Sequence, residues 1–283
     1  MRFPWDKNNI KNINYPDGSS YVEVESFPPQ IEFRINSYED LWTLTQIKDV
    51  YDYNGKPLSV TIPCLLDAQA DRRFERNQSH NLKLILYQLA RLSFENITIF
   101  HPHNSEVVES ILNRVNILDN GYFIEQVINR IGLMNQVVEG VRADISNTVL
   151  MSTDAGGFKP LMKLADKIQW KGETFSASKS RKYEDGKSKL IQQIDRQDFE
   201  GKDILIVDDI CVNGGTFIGL AKMLKERNVG KLYLAVSHLT IPNPNPELIN
   251  LYDTIFTTNS KGIGYHVGPI EILPYKSSID KRL

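Results

Sequence analysis

Two adjacent carboxylates followed at once by a glycine turn make DDICVNGGT, residues 208–216, the most chemically loaded stretch of this chain. Asp208 and Asp209 can accept hydrogen bonds from sugar hydroxyls or hold part of a magnesium shell. Gly214 and Gly215 permit a tight turn. With Asn213 and Thr216 they can offer amides and a hydroxyl to a phosphate at the start of a helix. The segment thus suits both halves of a sugar phosphate. A plain turn is the competing reading, because acidic residues and glycines are common turn formers. No Gly-Lys-Ser/Thr follows a strand, and no GxGxxG follows an early one, which sets aside the hydrolase phosphate loop and the dinucleotide oxidoreductases.

Three further groups carry charge at positions that could do chemistry. Asp71, Arg72, Arg73 and Arg76, with Gln69 just ahead of them and His80 just after, follow an apolar run that ends near Leu66. Arginines so placed suit phosphate oxygens, or else form surface ion pairs. His103 closes TIFHPH, with His101 two residues before it, and Asp154 follows the apolar run NTVLMST. Lys179, Arg181 and Lys182 lie in the polar stretch SASKSRKYEDGKSK, where they form either a solvated loop or a cationic flap for a transferring phosphoryl group.

These residues need a scaffold, and the apolar patterning supplies one. Residues 31–35, 41–50 and 58–66 read as strands, the first two as an antiparallel pair. A helix over 81–93 follows, with Leu82, Ile85, Leu86, Leu89 and Leu92 on one face. Then come a strand at 96–100, a helix at 105–112, a strand at 147–153 and a helix at 156–168. The series closes with a strand at 203–207, a helix at 216–227 and strands at 231–239 and 253–259. Strands alternating with helices imply an α/β chain of two tandem doubly wound domains, 1–145 and 146–283, with a mobile loop or hairpin at about 171–200. Asp208 and Asp209 then fall at the carboxyl end of a strand, where ligands collect in open α/β sheets.

Composition narrows the partners. The 283 residues include 33 basic and 35 acidic side chains, a formal net charge of -2, so no general basic footprint for nucleic acid exists. Only Cys64 and Cys211 are present, too few for a disulfide framework or a cysteine zinc site. No stretch approaches the roughly 20 apolar residues of a membrane span, and none at the start has the make-up of a signal segment. A cytoplasmic enzyme acting on small molecules is the expectation.

The DDICVNGGT segment resembles the phosphoribosyl-binding motif of the type I phosphoribosyltransferase fold. PDGS at 16–19, DAQADRRFERNQSHNLKL at 67–84, TIFHPH at 98–103 and STDAGG at 152–157 extend the resemblance, in order, to the ribose-phosphate diphosphokinase (PRPP synthetase) family. The matches span roughly residues 15–260. The resemblance implies magnesium-dependent transfer of the β,γ-diphosphoryl group of ATP to the anomeric hydroxyl of ribose 5-phosphate, releasing AMP. It implies that His103 lies near the metal and the ATP phosphates and that Asp154 helps hold magnesium. Asp208 and Asp209 would contact ribose hydroxyls, and residues 212–216 the 5-phosphate. Gln69, Asp71, Arg72, Arg73 and Arg76 would belong to an ATP-binding N-terminal domain that also serves oligomerisation. Lys179, Arg181 and Lys182 would sit on a catalytic loop that closes over the phosphates and excludes water. A homo-oligomer, dimer or hexamer, is implied as well.

Two departures touch specificity. Where the family's nucleotide segment reads alanine, arginine, glutamine, aspartate, this chain has Ala68, Gln69, Ala70 and Asp71. Where the family's phosphoribosyl loop carries aspartate then threonine, this chain has Val212 and Asn213. A loop altered in this way suits a terminal monophosphate or a phosphodiester that continues into another group. The acceptor is therefore ribose 5-phosphate or, as in a phage branch that rebuilds NAD in the host cytoplasm, the terminal ribose of ADP-ribose. A base-salvage phosphoribosyltransferase would share the 208–216 segment but would need neither the 67–84 stretch nor two domains.

Overall fold

The computed structural model describes residues 10–73, 75–135, 147–184, 187–264 and 268–277. In chain order the first elements are β1 (Ile10–Asn14), β2 (Ser20–Val24), β3 (Gln30–Glu32), α1 (Tyr38–Tyr53), β4 (Ser59–Ile62) and α2 (Asn81–Arg91). They continue with β5 (Ile97–Phe100), α3 (Ser105–Ile111), β6 (Val115–Leu118), α4 (Gly121–Asn135), β7 (Thr148–Ser152) and α5 (Ala155–Lys167). The rest are β8 (Glu173–Ser176), β9 (Ser178–Glu184), β10 (Lys187–Gln193), β11 (Asp203–Cys211), α6 (Gly215–Lys225), β12 (Leu232–Leu239), α7 (Pro246–Leu251), β13 (Thr254–Thr258) and β14 (Ile270–Leu273).

Packing divides the chain into two compact units, residues 1–119 with 260–262, and residues 120–259 with 263–283. The boundary expected at 145 falls within 136–146, outside the described residues. Helix α4 packs with the second unit, where Phe123, Ile124, Val127 and Ile131 share a core with Leu150, Leu205 and Tyr233.

In the first unit β3, β4, β5 and β6 form a parallel sheet in that order, beside the antiparallel β1–β2 hairpin. The apolar face of α2 closes on this sheet through Leu82, Ile85, Leu86 and Leu89, as its spacing requires. Residues 41–50, expected as a strand, are instead the middle of α1, and β3 is parallel to its neighbour. The helix is dictated from its first turn. Ser37 Oγ accepts from the Asp40 amide at 3.2 Å while Asp40 Oδ2 accepts from the Ser37 amide at 2.9 Å, a reciprocal capping box. Leu41, Leu44, Ile47, Lys48 and Tyr51 then recur at helical spacing on the buried side.

The second unit is a parallel six-stranded sheet in the order β14-β13-β12-β11-β7-β8. Alternate residues of its central strands feed two separate cores. Val149, Met151, Ile204 and Ile206 join Phe217, Leu220 and Leu224 of α6, whereas Leu150, Leu205 and Val207 join Leu161 and Leu164 of α5. Helices therefore cover both faces, the doubly wound arrangement. From β7 the chain turns to β8 on one side and reaches β11 on the other, so the crevice between β7 and β11 is where the strand order reverses. The polar stretch expected as a loop or hairpin forms the antiparallel pair β9–β10. At its root Glu173 meets both Arg196, at 2.6 Å, and Lys202, at 2.5 Å.

The Ser37→Ala variant should lose the cap of α1 and about 1 kcal/mol of stability. Urea denaturation checks this; an unchanged midpoint would mean that the cap does not hold the helix.

Candidate functional site

The reversal crevice of the second unit is built from two strands of unequal length. Pairing of β11 with β7 stops at Val207↔Ser152, while pairing with β12 runs on to Cys211↔Leu239. Asp208 and Asp209, expected just beyond a strand that ends at Val207, lie inside β11, because β12 supports it for four more residues. They nevertheless sit where β7 has already turned away. Their backbone is held on one side and the other side is given up to the crevice.

Asp208 is fixed at both oxygens. Thr153 Oγ1 donates to its Oδ2 at 2.8 Å, and the Asp209 amide donates to its Oδ1 at 2.9 Å. Even so, burial first and then the neighbouring Asp209 charge push its carboxyl up to about 7. Burial, aided by Asp208, also pushes the Cys211 thiol up to about 12, which leaves it protonated and inert as a nucleophile at neutral pH. Asp154 caps α5: its side chain accepts from the Gly157 amide at 3.0 Å, and the Ser152 hydroxyl donates to its carbonyl at 3.0 Å.

The turn that follows is shaped by one close contact. Gly214 has φ +76°, and a Cβ there would lie 2.9 Å from Leu248 Cδ2. It is the N-cap of α6 and supplies no side chain to the first amides of that helix. Gly215 has open space where a Cβ would stand. Val212 and Asn213 are exposed at the mouth of the turn, Val212 to 37%. Amides of a helix start without a side-chain cap, beside a paired carboxylate, can take a phosphate and the sugar hydroxyls attached to it.

The first unit gathers a second set at the carboxyl ends of β4 and β5. Gln69, Asp71, Arg72, Arg73 and Arg76 all lie in the segment after β4, and His103 lies in the loop after β5. Asn104 Nδ2 donates to Asp71 Oδ2 at 2.9 Å and draws the two segments together. Arg72, Arg73, Arg76, Gln69 and His103 are exposed. Tyr38 donates to Asp67 and accepts from Asn81 Nδ2 at 3.3 Å, which ties both ends of the segment to the start of α1. His101 has a left-handed backbone and donates its amide to Leu118 O at 2.7 Å. His238 is buried on β12.

Lys179, Arg181 and Lys182 take register positions opposite Gln192, Leu190 and Lys189 on β10; their side chains lie outside the described residues. Among the described residues no group of three or more His, Cys, Asp or Glu is arranged to hold a metal ion, and no helix is long and apolar enough to cross a membrane.

Residues 116–267, just over half of the chain, match the phosphoribosyl transferase domain. The chain belongs to that family. The likeness to known proteins runs beyond the matched span, along most of the chain. It is 26% identical over 266 residues to a ribose-phosphate pyrophosphokinase of Sulfurisphaera tokodaii, covering 89% of this chain and 84% of that one. To the protein of that name from Sulfolobus acidocaldarius it is 23% identical over 290 residues, covering 97% and 91%. Its fold is similar to that of phosphoribosylpyrophosphate synthetase from Mycobacterium smegmatis, with a TM-score of 0.73 at 15% identity over 94% of this chain and 85% of that one.

Within the phosphoribosyl transferase domain, sequence reasoning missed Thr153 and Leu248. Neither carries a local signal: Thr153 reaches a carboxylate 55 residues away, and Leu248 acts only by closing over Gly214.

Gly214→Ala should cost about 1–3 kcal/mol, because it adds left-handed strain to a contact with Leu248, whereas Gly215→Ala should be tolerated by the fold. Urea denaturation of the two variants side by side checks the difference; equal midpoints would refute it. A second expectation follows from Asp208. An acid raised in the folded chain adds no cost below its ordinary range near pH 4, a growing cost from there to about pH 7, and a constant cost above. Asp208→Asn should therefore raise the melting temperature at pH 8 in magnesium-free buffer, and the gain should shrink as pH falls toward 4.5. A gain that does not vary with pH would contradict the raised carboxyl.

Proposed function

We propose that this chain transfers the β,γ-diphosphoryl group of ATP to the anomeric C1 hydroxyl of ribose 5-phosphate, giving PRPP and AMP. The observation that carries the reading is the second unit's crevice, where a paired carboxylate adjoins a helix start whose N-cap, Gly214, has no side chain. The similarity to ribose-phosphate pyrophosphokinases over most of the chain supports it.

In this reading Asp208 and Asp209 accept hydrogen bonds from ribose hydroxyls and thereby orient the sugar. The amides of residues 213–216 and the Thr216 hydroxyl hold the 5-phosphate at the positive end of α6. Arg72, Arg73 and Arg76 meet ATP phosphates, Gln69 and Asp71 face the nucleoside, and His103 lies by the phosphates. Lys179, Arg181 and Lys182 gather charge on the moving group and exclude water. Two or more copies of the chain complete the enzyme.

Magnesium suits hard oxygen donors, and carboxylates of the kind that Asp154, Asp208 and Asp209 carry are such donors. Asp208, raised first by burial and then by its neighbour's charge, would be relieved by a nearby cation as by hydroxyl donors. Asp154, in the second unit, and His103, in the first, are each proposed as magnesium-side residues; the ion when bound would supply positive charge to the β,γ-phosphate oxygens.

The same transfer to the terminal ribose of ADP-ribose is the second reading. Val212, exposed at the turn, and the open space over Gly215 favour it, since a phosphodiester must continue outward past that point.

Purified protein incubated with magnesium, ATP and either acceptor should release AMP and a diphosphorylated product, identified by mass spectrometry. The preferred acceptor decides between the two readings. ADP as the only nucleotide product, or no nucleotide turnover with either acceptor, would overturn both.

A further inference from the structure

Pairing of β11 with β7 ends at Val207↔Ser152, yet Asp208 must keep one orientation if it is to meet a sugar hydroxyl. The link that spans this gap is a side chain. Thr153, the residue immediately after β7, is 4% exposed, and its hydroxyl lies 2.8 Å from Asp208 Oδ2. We propose that Thr153 is a positioning residue: its hydroxyl fixes the plane of the Asp208 carboxylate toward the ribose hydroxyls of the acceptor. The proposal rests on the reading of Asp208 as an acceptor ligand.

Three features make the hydroxyl a rigid reference. The turn carrying Thr153 is pinned before and after it, by Ser152 Oγ donating to Asp154 O at 3.0 Å and by Gly157 N donating to Asp154 Oδ1 at 3.0 Å. A threonine is stiff at χ1, so a pinned backbone fixes Oγ1 in space. The second Asp208 oxygen is held by the Asp209 amide at 2.9 Å, and two donors on two oxygens define a carboxylate plane. Each carboxylate oxygen has two acceptor positions, so these two donors do not by themselves fill the group.

Removing the hydroxyl leaves that plane set at one oxygen only. The adjacent Asp209 charge then favours rotation of the Asp208 carboxylate away from it, out of line with the sugar. ATP is not held by Asp208, so its binding should not follow.

The test is steady-state kinetics of the magnesium enzyme with ATP and the acceptor identified by product analysis. Thr153→Val and Thr153→Ala should raise the acceptor KM about tenfold and leave the ATP KM within twofold, the loss expected for one hydrogen bond to a charged group. Thr153→Ser, which keeps the hydroxyl, should stay within twofold of the unaltered enzyme in both. In an Asp208→Asn background, Thr153→Val should add little. A Thr153→Ser enzyme impaired as badly as Thr153→Val, equal rises in both KM values, or an undiminished Thr153→Val effect on top of Asp208→Asn would each overturn the positioning role. If Thr153→Val is silent while Asp208→Asn raises the acceptor KM, only the Thr153 proposal fails. If Asp208→Asn itself leaves the acceptor KM unchanged, it is the acceptor reading that fails.

Discussion

Two carboxylates on consecutive residues of a buried strand repel each other, and burial removes the water that would screen them. Such a pair persists in a fold only where donors face it, and this requirement organises the second unit around Asp208 and Asp209. The Thr153 hydroxyl and the Asp209 amide each meet one oxygen of Asp208. The supply is incomplete, since the Asp208 carboxyl is still pushed up to about 7. What remains is a standing demand for hydroxyl donors or a cation. A ligand that brings them would relieve the cost the pair carries.

The same constraint explains the unequal strands. Were β7 as long as β11, its backbone would fill the place beside Asp208 and close the crevice. Because β7 turns into the cap of α5 at Asp154, the acidic pair keeps β12 as a support on one side and a cleft on the other. The left-handed turn at Gly214 then brings the first amides of α6 back along the strand, and Leu248 fills the space a side chain would need. In the proposed reading a carboxylate pair and an anion-seeking helix end can be neighbours because the amides would face the phosphate while the acids would face hydroxyls.

Much of this was legible in the letters. The parallel strands around β11, the helices α2, α5 and α6, and the residue types of the phosphate turn follow from apolar spacing and glycine placement. Residues 41–50 misled because Trp42, Thr43, Thr45 and Val50 favour strands locally, whereas the capping box at Ser37 and Asp40 and the buried row from Leu41 to Tyr51 settle a helix. The β1–β2 hairpin, α4, β6 and β14 were not foreseen, since short or weakly patterned segments take their form from neighbours. Long-range side-chain partners were illegible for a related reason. Nothing near Thr153 in sequence marks Asp208 as its acceptor, and nothing near Asp71 marks Asn104.

The inertness of Cys211 bears on what kind of chemistry the crevice can support. It lies on the same strand as the acidic pair, yet burial and the Asp208 charge push its thiol up to about 12. A covalent enzyme intermediate on sulfur is thereby disfavoured, and the Asp208 carboxylate, held by Thr153 and the Asp209 amide, is oriented as an acceptor. In the proposed reading the groups around the crevice would instead hold a ligand by its hydroxyls and its phosphate, leaving the reactive oxygen to the substrate itself. That division of labour is what direct phosphoryl transfer asks of a protein, since its transition state needs alignment and charge compensation more than a protein nucleophile.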